Sequence, residues 1–119
     1  MKFNFEDMVS LNYFDVLFTC DDITLLKSIN TGDRWMLRNE GYYYTIRHSH
    51  GKGNYHYQTE VGTLFDAVLY IVSHDEFQMR NRRMATKTEE QSRGTFFFEL
   101  VDRYSMPNQI INGVETLNI

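Results

Sequence analysis

The order of apolar and polar residues predicts a short helix at the start of the chain. Asn4 and Asp7 have the spacing of a helix cap, because their side chains can accept hydrogen bonds from backbone N–H groups left free in the first turn. The helix would begin at Phe5, with an apolar side formed by Met8, Val9, Leu11 and Phe14. Residues 13–19 follow, and this aromatic and β-branched run fits a buried strand or a helix, since periodicity does not separate the two.

The next segment has the spacing of a second helix. Its aliphatic residues at helical intervals are Ile23, Leu26 and Ile29. Asp21 or Asp22 can cap its start, and Gly32 stands where a left-handed residue commonly ends a helix. We therefore expect a helix between these two points, packed through its aliphatic side.

The middle of the chain alternates apolar and polar side chains, as a half-buried sheet does. Trp35 and Leu37 alternate with more polar or flexible neighbours between positions 34 and 38. The successive segments are a strand at 34–38, a turn at 39–41, a strand at 42–50, a turn at 51–53 and a returning strand at 54–61. Strands joined by such short turns pair antiparallel, so a β-meander over about residues 34–61 is expected.

A nearly continuous apolar run follows the meander and predicts the clearest helix. Thr63 and Asp66 have the spacing of a capping box at its start. The apolar residues that follow are Leu64, Phe65, Ala67, Val68, Leu69, Ile71 and Val72. A helix with almost no polar face is usually buried, so we expect it to pack across the meander sheet. Ser73 and Glu76 repeat the cap spacing, which predicts a restart with a bend.

The last third of the chain combines a polar stretch with two β-forming runs. Residues 84–94 have little apolar content and are predicted to form a mobile loop. The run Thr95–Val101 includes three consecutive phenylalanines and predicts a buried strand, and residues 110–114 contain the Asn-Gly pair of a tight hairpin. The expected fold class is α+β: an antiparallel sheet made of the meander and C-terminal strands, with helices packed on one face.

Length, cysteine content and the lack of a long apolar run indicate a small cytoplasmic protein. A chain of 119 residues has the size of one domain, and we expect residues 1–119 to form a single compact domain. Cys20 is the only cysteine, which excludes an internal disulfide framework. The longest apolar run, residues 64–72, falls short of the roughly 20 residues that a membrane span needs. No membrane partner is expected.

Charge is unevenly distributed along the chain, whose formal net charge is −4. The first 32 residues are acidic, and the cationic cluster is Met79-Arg80-Asn81-Arg82-Arg83-Met84. Arg80 and Arg83 would lie close together on a helix, because they are three residues apart. The cluster is either a solvated helix face or a binding site. As a binding site it would contact phosphate, an acidic partner protein or an acidic membrane surface, or would mediate self-association with the acidic N-terminal region.

The hairpin around residues 51–53 holds three of the four histidines. With a three-residue loop, His48 pairs with His56 and both share a face with His50, where imidazoles can bind zinc or another borderline metal. With a four-residue loop, His56 lies on the opposite face and the site disappears. A third interpretation is a polar strand end whose histidines are solvated or paired with a carboxylate. These three histidines are the candidate metal ligands, and no cofactor is expected.

The same hairpin holds five of the eight tyrosines. Tyr42 and Tyr44 either pack beneath the helix or form part of an exposed aromatic surface. An exposed surface flanked by Arg38, Arg47 and Lys52 would suit stacked bases, whereas a protein partner would use the same tyrosines and arginines. The candidate partner-binding residues are Tyr42, Tyr44, Arg47, Tyr55, Tyr57, Arg80, Arg82 and Arg83.

The chain contains neither a phosphate-binding glycine loop nor a nucleophile elbow, so we expect a non-catalytic protein. The leading hypothesis is a small protein-binding module. Many short, aromatic- and methionine-containing, proline-poor chains of phage origin look like this one. The expected module is therefore a phage-type inhibitor or modulator of a host protein complex, such as a defence or nucleic-acid-processing machine. The two alternatives are a single-stranded RNA- or DNA-binding domain that uses the tyrosine-rich sheet, and a metal-binding protein that uses the histidine cluster.

Overall fold

The computed structural model describes residues 2–50, 53–81 and 95–104, and the chain divides into two compact units. Residues 4–70 form one unit, which we call the sheet unit because it contains every strand of the described residues. The other unit combines residues 2 and 3 with the described residues from 71 onward. The expectation of a single domain over residues 1–119 stays a prediction.

The first helix, α1 (Phe5–Ser10), has the predicted capping box. The Asn4 side-chain oxygen accepts a hydrogen bond from the Asp7 backbone N–H at 2.9 Å, and the Asp7 carboxylate accepts one from the Asn4 N–H at 2.9 Å. Two backbone donors at the start of the helix are satisfied in this way. The predicted start of the helix at Phe5 is confirmed.

Five antiparallel strands follow in an unbroken meander. Their bounds are β1 (Phe14–Thr19), β2 (Ile23–Ser28), β3 (Arg34–Asn39), β4 (Tyr44–Ser49) and β5 (His56–Val61). Each strand pairs with the next along the chain, so β1 and β5 are the edges of the sheet. The predicted turn at 39–41 lies between β3 and β4, where Gly41 has φ +109° and its N–H donates to the Asn39 side chain at 2.9 Å. Only glycine adopts that φ without strain.

One face of the sheet is buried, and we call it the inner face. Trp35 and Leu37 on β3 point into it together with Ile46 on β4, and all three are buried as the alternation predicts. Helix α2 (Leu64–Asn81) begins against this face. The Tyr70 ring lies edge-on to Trp35 with 6.3 Å between centroids, and its hydroxyl donates to the Gln58 side-chain oxygen on β5 at 3.2 Å.

The predicted second helix is wrong, because its residues form the strand β2. Leu26 and Ser28 are buried at alternate positions, whereas Ile29 is 54% exposed in the turn that follows. β2 lies between β1 and β3 and pairs with both, so its backbone groups find partners on two sides. Gly32 has φ +79° in the β2–β3 turn rather than at the end of a helix.

Helix α2 begins with the predicted cap but continues past the predicted restart. The Thr63 hydroxyl oxygen accepts a hydrogen bond from the Asp66 N–H at 3.0 Å. Ser73 is buried in the middle of one continuous helix, so the restart predicted at this residue is wrong. The local cap spacing did not decide the outcome, because the buried side of the helix continues into it at Ser73 and Asp75. The buried apolar residues before it are Ala67, Val68, Ile71 and Val72.

The predicted strand Thr95–Val101 is also wrong, because these residues belong to helix α3 (Thr95–Tyr104). Phe97 and Leu100 are buried at helical spacing, and Phe98 between them is 53% exposed. Three consecutive phenylalanines have no period of their own, so the residues on either side decide between strand and helix. The predicted loop at 84–94 and the predicted hairpin at 110–114 lie outside the described residues.

The predicted α+β class is confirmed by the antiparallel meander and its helices. The meander is longer than predicted, since it begins at β1 rather than at residue 34. The described part of the chain contains no helix that is both long and apolar enough to span a membrane.

Candidate functional site

The face of the sheet opposite the inner face carries one residue from each of the five strands in a single line. Phe18 pairs with Leu25, Leu25 with Met36, Met36 with Arg47, and Arg47 with Tyr57. Paired residues in neighbouring strands point to the same face of a sheet. These five side chains therefore lie side by side, and we call them the outer row.

Both ends of the outer row are open to solvent. Phe18 is 52% exposed on edge strand β1, and Tyr57 is 51% exposed on edge strand β5. The three central side chains, Leu25, Met36 and Arg47, are half-buried among their neighbours. A continuous line of aromatic and aliphatic side chains that all remain at least partly exposed is a feature of interaction sites. The outer row is therefore the apolar centre of a candidate binding surface.

Arg47 is the one cation in the outer row, and it lies beside an aromatic ring. Its guanidinium carbon is 5.7 Å from the Tyr57 ring centroid, within the range of a cation–π contact. The Tyr57 hydroxyl donates to a Glu60 carboxylate oxygen at 3.1 Å. The pKa of Tyr57 is raised, mainly by desolvation of the phenol and to a smaller extent by its hydrogen bond to Glu60. Among the described residues, no carboxylate lies within ion-pair distance of Arg47.

Two further lines of paired residues flank the outer row and carry most of the charge on this face. One line consists of Ile23, Arg38, Thr45 and Glu60, and the other of Asp15, Lys27, Arg34 and Ser49. Arg38 also lies 3.7 Å from a Glu40 carboxylate oxygen in the turn beyond β3. An apolar centre between charged borders is the usual composition of a protein interface.

A second cluster lies on the other side of β4 and contains His48, His50 and Asp33. One Asp33 oxygen is 3.1 Å from His48 Nε2, and the other is 3.5 Å from His50 Nδ1. The two imidazole rings meet nearly at right angles, with 4.5 Å between centroids. One ligand atom from each residue lies within 4.8 Å of the other two, so the three side chains could hold a metal ion.

His48 is fixed in the inner face of the sheet. Its ring stacks on Trp35 with 4.2 Å between centroids, and the indole N–H of Trp35 donates to the Ser28 hydroxyl at 3.1 Å. Burial lowers the pKa of His48, although the hydrogen bond and negative charge of Asp33 act in the opposite direction. The neutral ring is therefore favoured, and this is the form that binds a metal.

The β4–β5 pairing agrees with the first of the two hairpin registers considered from the sequence. His48 pairs with His56, as the three-residue loop requires. His56 is exposed, however, and the metal-capable group contains Asp33 in its place. The sequence did not indicate Asp33, because this residue precedes β3 and lies outside the histidine hairpin. The β3–β4 register would have indicated it: Arg34 pairs with Ser49, so Asp33, just before Arg34, lies next to His50, just after Ser49.

The predicted partner-binding residues do not share one surface in the described part of the chain. Arg47 and Tyr57 belong to the outer row, whereas Tyr44 is half-buried on the inner face. Tyr42 is 96% exposed in the turn before β4, and Tyr55 is half-buried before β5. Arg80 lies in the last turn of α2, and Lys52, Arg82 and Arg83 lie outside the described residues.

The sequence did not single out three residues of the outer row. Phe18 lies in the run that was ambiguous between strand and helix, Leu25 lies in the segment expected to be helical, and Met36 was seen only as an alternating position. Their alignment depends on pairing between strands.

No protein-family model, curated protein or solved structure matches the chain, so function is inferred from this geometry alone.

Proposed function

We propose that the protein is a small non-catalytic protein-binding module and that the outer row is the centre of its contact surface. The observation that carries this proposal is the alignment of Phe18, Leu25, Met36, Arg47 and Tyr57 across all five strands. Tyr and Arg are enriched among the residues that dominate binding energy, and apolar neighbours around them exclude water.

The arrangement of the aromatic rings favours a protein partner over single-stranded RNA or DNA. Successive bases need aromatic rings on neighbouring strands to stack on. Here Leu25 and Met36 occupy the centre of the outer row, and the rings of Phe18 and Tyr57 stand on opposite edges. Four strand spacings separate those edges, or roughly 19 Å. An apolar patch on a folded protein fits this spacing better than a stacked strand of bases.

The chemistry of the face indicates what the partner should offer. Arg47 needs an acceptor, since the described residues provide no carboxylate to pair with it. The partner should therefore present an apolar patch with a carboxylate or an aromatic ring near its centre. A module of this kind acts by covering or bridging part of a larger complex in the cytoplasm, as a phage-type inhibitor or modulator of a host machine does.

A capture experiment with matched variants tests this proposal. Tagged protein is used to capture partners from the lysate of the source cell, with and without nuclease, and the products are identified by mass spectrometry. Met36→Glu places a charge at the centre of the outer row, where Arg34, Arg38 and Arg47 surround it and make the carboxylate tolerable to the fold. Ile29→Glu is the control, because it places the same charge on an aliphatic residue that lies outside the outer row, in the turn after β2, and is 54% exposed.

The proposal predicts a partner protein that is retained after nuclease treatment. Its capture should fall at least about tenfold with Met36→Glu, because a charge at the apolar centre of an interface is costly, and stay unchanged with Ile29→Glu. Circular dichroism of both variants establishes that they are folded. Capture that disappears with nuclease would support the nucleic-acid alternative. Equal capture by both variants would show that the contact surface lies elsewhere.

A further inference from the structure

We propose that Asp33, His48 and His50 bind a borderline divalent cation, with Zn²⁺ as the ion to test. Two imidazole nitrogens and one carboxylate oxygen are the donor set that such ions accept from proteins. His48 is on the inner face of the sheet, whereas Arg47 next to it is on the outer face. The site is therefore independent of the proposed protein-binding surface.

The donor atoms lie close to the spacing that a tetrahedral ion requires. Bonds of about 2.0–2.1 Å from zinc to nitrogen or oxygen place two ligand atoms about 3.3 Å apart at the tetrahedral angle. One Asp33 oxygen lies 3.1 Å from His48 Nε2 and the other lies 3.5 Å from His50 Nδ1. One ligand atom from each of the three residues lies within 4.8 Å of the other two, so a small side-chain movement brings the donors to the tetrahedral spacing. The His50 side chain touches the His48 ring but is 78% exposed, which leaves room for a small rotation. Three protein ligands leave a fourth position for water.

The two other ligands are already held in place. His48 is stacked on Trp35, and Asp33 is fixed in the β2–β3 turn by its backbone. The Ser28 N–H donates to the Asp33 carbonyl at 2.8 Å, and the Asp33 N–H donates to the Thr31 hydroxyl at 3.2 Å. A site whose ligands are ordered in advance loses little conformational entropy when the ion binds.

The contrasting interpretation is that Asp33 serves only as a hydrogen-bond partner for the two histidines. Asp33 lies within contact distance of both rings and could satisfy them without an ion. The two interpretations differ in whether the protein takes up one equivalent of metal, and in whether His50 matters more than His56. His56 is an exposed histidine paired with His48 across the hairpin, and it lies outside the metal-capable group.

The experiment uses the full chain, treated with a chelator and then titrated with ZnCl₂ in an isothermal calorimeter. A parallel titration with CoCl₂ is followed by visible absorption, which reports tetrahedral nitrogen and oxygen ligands. The variants are His50→Gln and Asp33→Asn, with His56→Gln as the matched control. His50→Gln is the decisive variant, because an exposed side chain can be changed without unfolding the protein.

One equivalent of Zn²⁺ per chain is the expected result, with intense cobalt absorption. His50→Gln and Asp33→Asn should each weaken zinc binding at least tenfold, and His56→Gln should leave it unchanged. The absence of stoichiometric binding by the folded wild-type protein would overturn the proposal. An equal loss in His50→Gln and His56→Gln would also overturn it, because the ion would then be held by surface histidines in general.

Discussion

The two faces of β3 and β4 are built from neighbouring residues and yet have opposite properties. Trp35 and His48 point into the inner face, where the indole N–H donates to Ser28 and the imidazole contacts Asp33. Met36 directly follows Trp35 on β3, and Arg47 directly precedes His48 on β4. Both side chains stay partly open to solvent. Adjacent residues on one strand therefore differ in role: one side chain stabilises the core, and the next is accessible to a partner.

The two faces differ in the free-energy cost that follows when a polar group loses its hydrogen-bond partner. A buried N–H or ring nitrogen that loses its partner keeps its full desolvation cost, so the inner face accepts few substitutions. On the outer face water can replace a lost partner, and the same change leaves the fold intact. Stability should therefore depend on the inner face and recognition on the outer row. Four predictions test this division, in order of decreasing effect on stability.

Trp35→Ala should have the largest effect on stability. Trp35 is the largest fully buried side chain of the described residues, and it contacts both His48 and Tyr70. Truncation leaves a cavity in the inner face and should lower the free energy of unfolding by about 3–5 kcal/mol. Chemical denaturation followed by circular dichroism measures the loss. A cost below about 1 kcal/mol would contradict the assignment of the core to this face.

Ser28→Ala tests a single hydrogen bond within the inner face. The change removes the acceptor of the Trp35 indole N–H and hardly alters the packing. We expect a loss of about 1–3 kcal/mol in the free energy of unfolding, because a buried donor is deprived of its partner. Ser10→Ala on α1 is a suitable control, since Ser10 is exposed and bonds to a nearby carbonyl. A similar loss in both variants would argue against a special role for Ser28.

Acid should weaken the fold through His48 when metal is removed by a chelator. Burial, the largest cause, lowers the pKa of His48 below 6.5, and the nearby His50 and His56 add to this while Asp33 opposes it. Below pH 6.5 the unfolded chain therefore takes up a proton before the folded chain does. The stability from this group is complete above pH 6.5 and is lost as the pH falls through the lower pKa. Urea denaturation between about pH 7.5 and 5 measures the slope, which should be smaller in His48→Gln.

Tyr57→Ala should separate binding from stability on the outer row. Tyr57 is 51% exposed, so its truncation should change the free energy of unfolding by no more than about 0.5 kcal/mol. The same variant should weaken capture of the partner, since the ring and its contact with Arg47 would both be lost. Denaturation and capture are measured on one preparation. A large loss of stability with unchanged capture would reverse the roles assigned to the two faces.

The sequence alone determined the features that depend on residues a few positions apart. The cap of α1 at Asn4 and Asp7 and the cap of α2 at Thr63 formed as their spacing predicted, because each bond closes within one helical turn. The alternation around Trp35 placed β3 and its buried side correctly, since side chains on a strand alternate between faces whatever its neighbours are. These local rules were sufficient for the fold class and the central hairpins.

Tertiary structure decided the features that depend on distant partners. Ile23 and Leu26 had helical spacing, yet β1 and β3 provided backbone partners on both sides and made the segment a strand. The outer row exists only because the registers of four strand pairs agree, and Asp33 joins the histidines only because β3 pairs with β4. Such pairings connect residues that are far apart in sequence. Their formation reflects the free energy of the whole sheet, which no local pattern of residues contains.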